Sequence, residues 1–179
     1  MSHTPLDVQS AQETCVRPTQ HLPSISKEAV STAQTVRAYM PPSLTDDWAT
    51  PQATFDKYNA YHHFDLDVAA SSTNHKTERW IGLDHPDPAR RDGLTAPWDG
   101  EHVWCNPPYG RGIADWVKKA AEHAYMGKGE VVLLLPARTD TAWFHDYCLM
   151  HAVEFLRGRL KFGNATNSAP FPSMIVRIK

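Results

Sequence analysis

Few cysteines and no long apolar run are the first features of this sequence. The three cysteines, Cys15, Cys105 and Cys148, form an odd and widely spaced set without the pairing typical of zinc sites. They favour a reducing cytoplasm over a disulfide-linked secreted scaffold. No segment reaches the roughly 18 apolar residues needed to span a bilayer, and the polar N-terminus lacks the apolar core of a signal peptide. We therefore expect a cytoplasmic protein without a membrane partner.

Net charge is also low, at −2, which argues against a protein that binds nucleic acid by bulk charge alone. The distribution of charge is more informative. Residues 46–99 hold five Lys and Arg against ten Asp and Glu, whereas residues 100–179 hold ten against seven. An acidic half followed by a basic half suits two different ligands on one domain, although ordinary surface charge explains it equally well.

The 179 residues are enough for one domain with a substantial core. Residues 1–45 are rich in Ser, Thr, Gln and Pro, so we predict a mostly disordered tail with at most one helix over 25–40. The globular, catalytic domain is expected over 46–179.

The coarse secondary structure of that domain alternates strands and helices. Thr50 and Pro51 predict a helix start, with Thr50 as N-cap and Pro51 at the first helical position. "HFDLDVAAS" and "EHVWCNPPY" predict strands that end in turns, and residues 72–99 predict a long irregular loop. The later predicted elements are a helix in 112–129, a buried strand at 131–137, a helix in 139–150, and strands at 152–158, 159–163 and 174–179.

This order predicts an α/β fold of the Rossmann-like type, with a mostly parallel sheet that ends in an antiparallel strand pair. In such sheets, ligands bind at the carboxyl ends of the strands. "DVAAS" and "NPPY" both fall at such ends, so we expect them to form one site.

The tetrapeptide Asn106-Pro107-Pro108-Tyr109 has the chemistry to hold an amine. The Asn106 side-chain oxygen and the Pro107 carbonyl are neutral acceptors for the two amine hydrogens, and the prolines add no competing N–H. Tyr109 offers a ring on which a flat base could stack after it has left the duplex. A simple turn, with Asn106 as its cap, is the competing interpretation.

The motifs together resemble a known family. The segments "WATP", "LDVAAS", "DGL", "VWCNPPYG", "VVLLLPARTDTAWFH" and "FLRGRLKFG…APFPS", in this order over residues 46–179, are similar to the phage and prophage DNA N-6-adenine methyltransferases of the Dam type. The resemblance implies a Rossmann-like methyltransferase fold, S-adenosylmethionine as methyl donor, and adenine in DNA as acceptor. It also implies the cytoplasm of a host cell as the location.

The resemblance also implies roles for individual residues. Asn106, Pro107, Pro108 and Tyr109 match the catalytic motif. The residues implied in cofactor binding are Trp48, Thr50, Pro51, Asp67, Ala69, Ala70, Ser71 and Asp92. "DVAASSTN" departs from the glycine-rich first loop of many methyltransferases, because its Ala and Ser residues lack the free access to positive φ that glycine has.

Nucleic-acid contacts are expected from the basic C-terminal half. Arg157, Arg159 and Lys161 alternate along a predicted hairpin and could follow a phosphate backbone, with Phe162 as a second aromatic for the base. A solvated strand face is the alternative. Arg138, Thr139 and Asp140 are second choices, since capping of the next helix explains the last two.

The sequence is also compatible with other functions. The chain could be a catalytically inactive DNA-binding protein of the same fold, or could methylate RNA adenine, the N4 amine of cytosine or a protein glutamine. No serine-hydrolase elbow is present. A metal site built on His63 and Asp65 is disfavoured, because a strand start explains both residues, so we expect no metal. The recognised DNA sequence and the oligomeric state do not follow from the sequence.

Overall fold

A computed structural model describes residues 48–163, 165 and 167–179. The tail predicted over residues 1–45, with its helix, lies outside these described residues. Within them, no helix is long and apolar enough to cross a membrane.

The described chain folds into helices and strands in alternation. In chain order the elements are α1 (Gln52–His62), β1 (Leu66–Asp67), a 3-10 turn (Pro88–Arg90), β2 (His102–Cys105), α2 (Ile113–Tyr125), β3 (Glu130–Pro136), α3 (Ala142–Tyr147), β4 (Ala152–Phe155) and β5 (Ser173–Ile178). These bounds lie within a few residues of most sequence predictions.

The hydrophobic pattern explains the central elements. Residues 131–135 of β3 are fully buried, as an uninterrupted apolar run requires in a strand covered on both faces. In α2 the buried side chains, among them Ile113, Val117 and Ala121, recur at helical spacing and face the core, and α2 packs against β3 and α3. Phe55 of α1 contacts the ring of Trp104 edge-on, with the ring centroids 5.5 Å apart.

The five strands form one sheet in the order β1-β2-β3-β5-β4. β1, β2 and β3 pair in parallel, whereas β5 runs antiparallel to both β3 and β4. The α/β prediction is therefore confirmed, but the prediction of a mostly parallel sheet is wrong. The sheet is mixed because β5 inserts between β3 and β4 in the reverse direction.

The predicted strand at 159–163 does not form. Both edges of β5 are occupied by β3 and β4, and residues 159–163 pair with no strand of the sheet. The loop between β4 and β5 is held instead by single backbone hydrogen bonds, from Ala169 N–H to Leu160 O and from Gly163 N–H to Ala49 O. Arg157, Arg159 and Lys161 therefore lie on a loop rather than on a hairpin.

The helix start predicted at Thr50 is also corrected. Pro51 is the N-cap of α1, and no side chain caps this end of the helix. Pro51 supplies the first carbonyl acceptor, to Thr54 N–H at 3.0 Å and to Phe55 N–H at 3.1 Å. The Thr50 hydroxyl is thus free for another partner.

A short extended segment flanks β1 in the region predicted as an irregular loop. Asp67 N–H donates to Arg79 O at 3.0 Å, and Ile81 N–H donates back to Asp67 O at 2.8 Å. Trp80 forms a single parallel bridge with Asp67. This segment widens the sheet at the edge next to β1 and brings residues 81–84 beside the turn that follows β1.

Two glycines let neighbouring segments approach the backbone after β1. A Cβ on Gly82 would lie 1.8 Å from Ala70 O, and one on Gly93 would lie 2.4 Å from Val68 O. The turn 68–71 is thus enclosed by two positions that tolerate no side chain.

We predict that Gly82→Ala destabilises the fold by about 1–3 kcal/mol, because backbone atoms must move to admit the methyl group. Gly112→Ala is the matched control, since no atom lies within 4 Å of a Cβ there, and its effect should stay below about 1 kcal/mol. Urea unfolding of both variants and the wild type measures the difference. Equal stabilities for the two variants would contradict this packing.

Candidate functional site

The strands β1, β2 and β3 run in parallel, so their carboxyl ends lie side by side at one edge of the sheet. A cavity of about 670 Å³ opens at these carboxyl ends. Its volume lies in the range of small-molecule sites. Eight of the residues singled out from the sequence line it: Trp48, Ala69, Ala70, Ser71, Asp92, Asn106, Pro107 and Pro108. The structure therefore brings the two predicted turns, after β1 and after β2, to one site.

Asn106 is the most informative side chain of this cavity. It follows directly on the buried strand β2, whose register with β3 fixes its position at the sheet edge. Its Nδ2 donates to Trp48 O at 2.5 Å and to Thr50 Oγ1 at 2.9 Å. Its Oδ1 is buried and has no hydrogen-bond partner among the described residues. A buried acceptor without a partner costs about 1–3 kcal/mol. Because Asn106 lines the cavity, its Oδ1 is a candidate acceptor for a ligand that donates a hydrogen bond.

The two prolines shape the wall next to Asn106. Pro107 is buried and Pro108 is exposed, and both line the cavity. Because neither residue has an N–H, this part of the wall cannot donate a backbone hydrogen bond. The backbone of these two prolines therefore offers the ligand acceptors only.

Tyr109 and Phe162 do not face the cavity as a stacking pair. Both rings are buried, and they meet edge-on at 89° with centroids 5.9 Å apart, which leaves no slot for a base between them. Tyr109 OH donates to Leu134 O at 3.1 Å, and burial raises the pKa of Tyr109 well above its ordinary value, so the hydroxyl stays protonated. In this structure both residues belong to an aromatic cluster with Trp48 and Phe171.

Asp67 points into the protein rather than into the cavity. It is 3% exposed, and its carboxylate accepts the N–H groups of Lys76, at 3.0 Å, and Ala69, at 3.4 Å. These bonds fold the segment after β1 back on itself, which leaves Ala69, Ala70 and Ser71 on the cavity wall. Burial raises the pKa of Asp67 to about 6. Asp67 thus shapes the loop that lines the site.

Thr50 and Pro51 also lie off the cavity lining. Thr50 is buried, and its hydroxyl accepts a hydrogen bond from the Asn106 amide. Pro51 begins α1, so its role is structural in this structure.

Asp92 lies on the cavity wall and also closes a turn. Its Oδ1 accepts Leu94 N–H at 2.9 Å and its Oδ2 accepts the Thr95 hydroxyl at 3.0 Å. Lys119 fixes the same segment, because its ammonium donates to the carbonyls of Gly93, Leu94 and Ala96. The turn expected from the sequence is therefore present, and the role of Asp92 as a site residue stays a prediction.

Asp84 is a cavity residue that sequence reasoning missed. It follows the extended segment paired with β1, and its carboxylate accepts Ser72 N–H at 3.0 Å and the Ser72 hydroxyl. These hydrogen bonds lower the pKa of Asp84, which keeps it ionised. The available signal was its spacing, since an acid about 20 residues beyond the first strand holds ribose hydroxyls in dinucleotide folds.

Five exposed cations surround the same edge of the sheet. Arg157, Arg159 and Lys161 lie on the β4–β5 loop, while Arg111 and Arg138 follow β2 and β3. None of the five takes part in an ion pair among the described residues. In the same part of the chain, no group of three or more His, Cys, Asp or Glu side chains is arranged to hold a metal ion.

Comparisons with known proteins agree on one family. The family model for DNA N-6-adenine-methyltransferase (Dam) matches residues 37–176. A DNA N-6-adenine-methyltransferase of Haemophilus phage HP1 (strain HP1c1) is 32% identical over 141 residues, which cover 73% of this chain and 77% of that protein. One from Escherichia phage T1 is 35% identical over 109 residues, 59% of this chain and 42% of that protein. No solved structure gives a significant match.

The buried Asp67 carboxyl predicts a pH dependence of stability. Its pKa in the folded state, about 6, lies above the ordinary value of 3.8, so the folded protein binds the extra proton between these values. Wild-type stability should therefore fall as the pH rises from 4 to 7, relative to Asp67→Asn, by up to about 3 kcal/mol. Urea unfolding of both proteins at several pH values measures this change. A stability difference that does not vary with pH would refute it.

Proposed function

The chain belongs to the DNA N-6-adenine-methyltransferase (Dam) family, and from this premise we propose that the cavity at the ends of β1 and β2 is its active site. The resemblance seen in the sequence is confirmed, as is the enzyme class: the protein methylates the N6 amine of adenine in DNA. We assign the individual residues below from the geometry of the cavity.

The unpartnered Oδ1 of Asn106 carries this assignment. An amine placed at the cavity end of Asn106 would satisfy the acceptor with one hydrogen, and the Pro107 carbonyl would accept the other. Two accepted hydrogens favour a pyramidal nitrogen whose lone pair is no longer spread into the ring. Asn106 and Pro107 thus activate a weak nucleophile by position and electrostatics.

The remaining cavity residues fit S-adenosylmethionine, the cofactor that the family implies. Asp84 and Asp92 are carboxylates suited to ribose hydroxyls and to the adenosyl amine, and the small side chains of Ala69, Ala70 and Ser71 permit close approach of the ligand to backbone. When bound, the cofactor supplies an electrophilic methyl group on a sulfonium. The ionised Asp84 and Asp92 would also complement its positive charge.

The reaction needs no strong base in the protein. The attacking amine is neutral and becomes acidic only as the new N–C bond forms, so its proton can leave to water during or after transfer. Accordingly, the wall formed by Asn106, Pro107 and Pro108 contains no charged side chain. Tyr109 supports this wall from the buried side, through its bond to Leu134 O.

The fold and the surroundings of the site complete the proposal. We propose that the mixed sheet is a Rossmann-like methyltransferase sheet, with residues 46–179 as the catalytic domain and the host cytoplasm as its location. The five exposed cations at the sheet edge would contact DNA phosphates around the flipped base.

The alternative acceptors differ in what they require of this site. Cytosine N4 and RNA adenine present the same kind of amine, and a catalytically inactive binder would need no free acceptor at all. Family membership favours adenine in DNA over each of them. Identification of the methylated base in the product separates these alternatives.

We predict that Asn106→Ala lowers the rate of methyl transfer about 100-fold or more, because the amine loses its oriented acceptor. The assay uses labelled S-adenosylmethionine and plasmid DNA, with the product hydrolysed and N-6-methyladenine quantified. Cofactor binding measured by calorimetry should stay within a few-fold of wild type. Asn167→Ala, an exposed amide off the cavity wall, is the control and should keep the wild-type turnover. Full activity of Asn106→Ala would exclude the assigned role.

We predict that the double variant Arg157→Gln/Arg159→Gln weakens DNA binding and reduces the slope of log affinity against log salt by about 0.9 for each lost phosphate contact. Lys128→Gln is the matched control, since this exposed cation lies at the opposite edge of the sheet beside Glu130. Fluorescence anisotropy with a labelled duplex, over a series of salt concentrations, gives both slopes. An unchanged slope in the double variant would place the DNA elsewhere.

A further inference from the structure

We propose that Thr50, together with the backbone carbonyl of Trp48, is a positioning group that fixes the Asn106 carboxamide with its oxygen toward the substrate. The proposal rests on the active site proposed above and adds a role for a residue that the sequence had assigned to the cofactor. Thr50 does not line the cavity and does not cap α1. Its hydroxyl is used for the Asn106 amide instead.

The Asn106 carboxamide has two possible orientations, which exchange the positions of its oxygen and its NH2 group. Turned over, the Asn106 side chain would place its NH2 group toward the cavity and its oxygen where Nδ2 now lies. The Trp48 carbonyl, 2.5 Å from Nδ2, can only accept a hydrogen bond. The reversed amide would therefore bring two oxygens together in a buried place, which is strongly unfavourable.

The Thr50 hydroxyl completes this arrangement. It is 2.9 Å from Nδ2 and accepts the second amide hydrogen, and Thr50 is only 4% exposed. With both N–H groups used, the side chain has no donor left for the ligand and presents Oδ1 alone. Asn106 thereby becomes a pure acceptor at the point where an exocyclic amine must donate.

The position of Thr50 next to α1 makes the arrangement rigid. Pro51 restricts the backbone at the start of α1, and α1 is anchored in the core by Phe55. The hydroxyl thus lies on a residue that directly precedes the N-cap of a helix packed in the core. Without the Thr50 hydroxyl, one amide hydrogen loses its acceptor and the Trp48 carbonyl alone holds the side chain. The carboxamide should then be held less firmly, and the fraction of molecules with Oδ1 in the productive position should fall.

The first experiment compares two variants of Thr50. Thr50→Val keeps the volume and the γ-methyl group but removes the hydroxyl, whereas Thr50→Ser keeps the hydroxyl. We expect kcat to fall about five- to tenfold in Thr50→Val, the rate equivalent of one neutral hydrogen bond, with KM for DNA and the cofactor Kd within about twofold of wild type. Thr50→Ser should recover kcat to within about twofold. Wild-type kcat in a folded Thr50→Val protein, or an equal loss in Thr50→Ser, would overturn the proposal.

A second measurement needs no activity. In ¹⁵N-labelled wild-type protein, the side-chain NH2 resonances of Asn106 can be assigned by their loss in Asn106→Ala. Both protons should exchange with water far more slowly than those of Asn167, an exposed amide used as internal control. Exchange as fast as that of Asn167 would refute the arrangement even if Thr50→Val fails to fold.

The two measurements keep this inference separate from the proposed function. A wild-type protein that bears a protected Asn106 amide but makes no N-6-methyladenine would refute the proposed active site and leave the arrangement standing. An active wild type with an unprotected amide would refute only the role of Thr50.

Discussion

The proposed site depends on the side-chain amide of Asn106, whose nitrogen has hydrogen-bond partners and whose oxygen has none among the described residues. The donor end of Asn106 is fully used by the segment just before α1, and its acceptor end is buried without a partner in a side chain that lines the cavity. Buried polar groups are nearly always satisfied, because an unmet hydrogen bond costs a notable part of the small net stability of a domain. A fold that leaves one such acceptor at the end of a central strand retains a place for a donor, and the nucleophilic amine of the substrate is a donor.

The topology explains why this amide lies beside a cofactor-sized space. Strands β1 and β2 are parallel neighbours, with Asp67 opposite Trp104, so the turns that follow them emerge side by side. One turn ends in the acceptor wall of Asn106 and Pro107, and the other supplies the small residues 69–71. The reversed strand β5 adds to this edge the long loop with its exposed cations, because it must start where β3 ends. The acceptor, the wall of small residues and the basic surface are thus brought together by the directions of the strands.

The parts of this arrangement that local sequence determines could be predicted, whereas those that depend on distant partners could not. The apolar run of β3 and the helical stripe of α2 lie within one segment each, so their periodicity was sufficient. Thr50 was misassigned because Thr-Pro is the same local signal whether the hydroxyl caps a helix or binds an amide 56 residues away. The strand expected at 159–163 failed for the same reason, since nothing in its sequence reveals whether a distant strand will pair with it. Tyr109 is a further case, because the four residues of the motif do not show which aromatic rings will cover it.

The packing around β1 explains why the turn after this strand does not need to be rich in glycine. In the turn after β1 the backbone is closely approached at Val68 and Ala70, yet the residues without side chains are Gly82 and Gly93, on the two segments that pack against it. The turn itself holds its shape through the Asp67 carboxylate and its bonds to the N–H groups of Ala69 and Lys76. The positions that must lack a Cβ therefore lie on the neighbouring segments, at Gly82 and Gly93, and not in the turn itself. Ala69, Ala70 and Ser71 can then line the cavity without positive φ, and the departure from the glycine-rich pattern does not argue against a cofactor at this place.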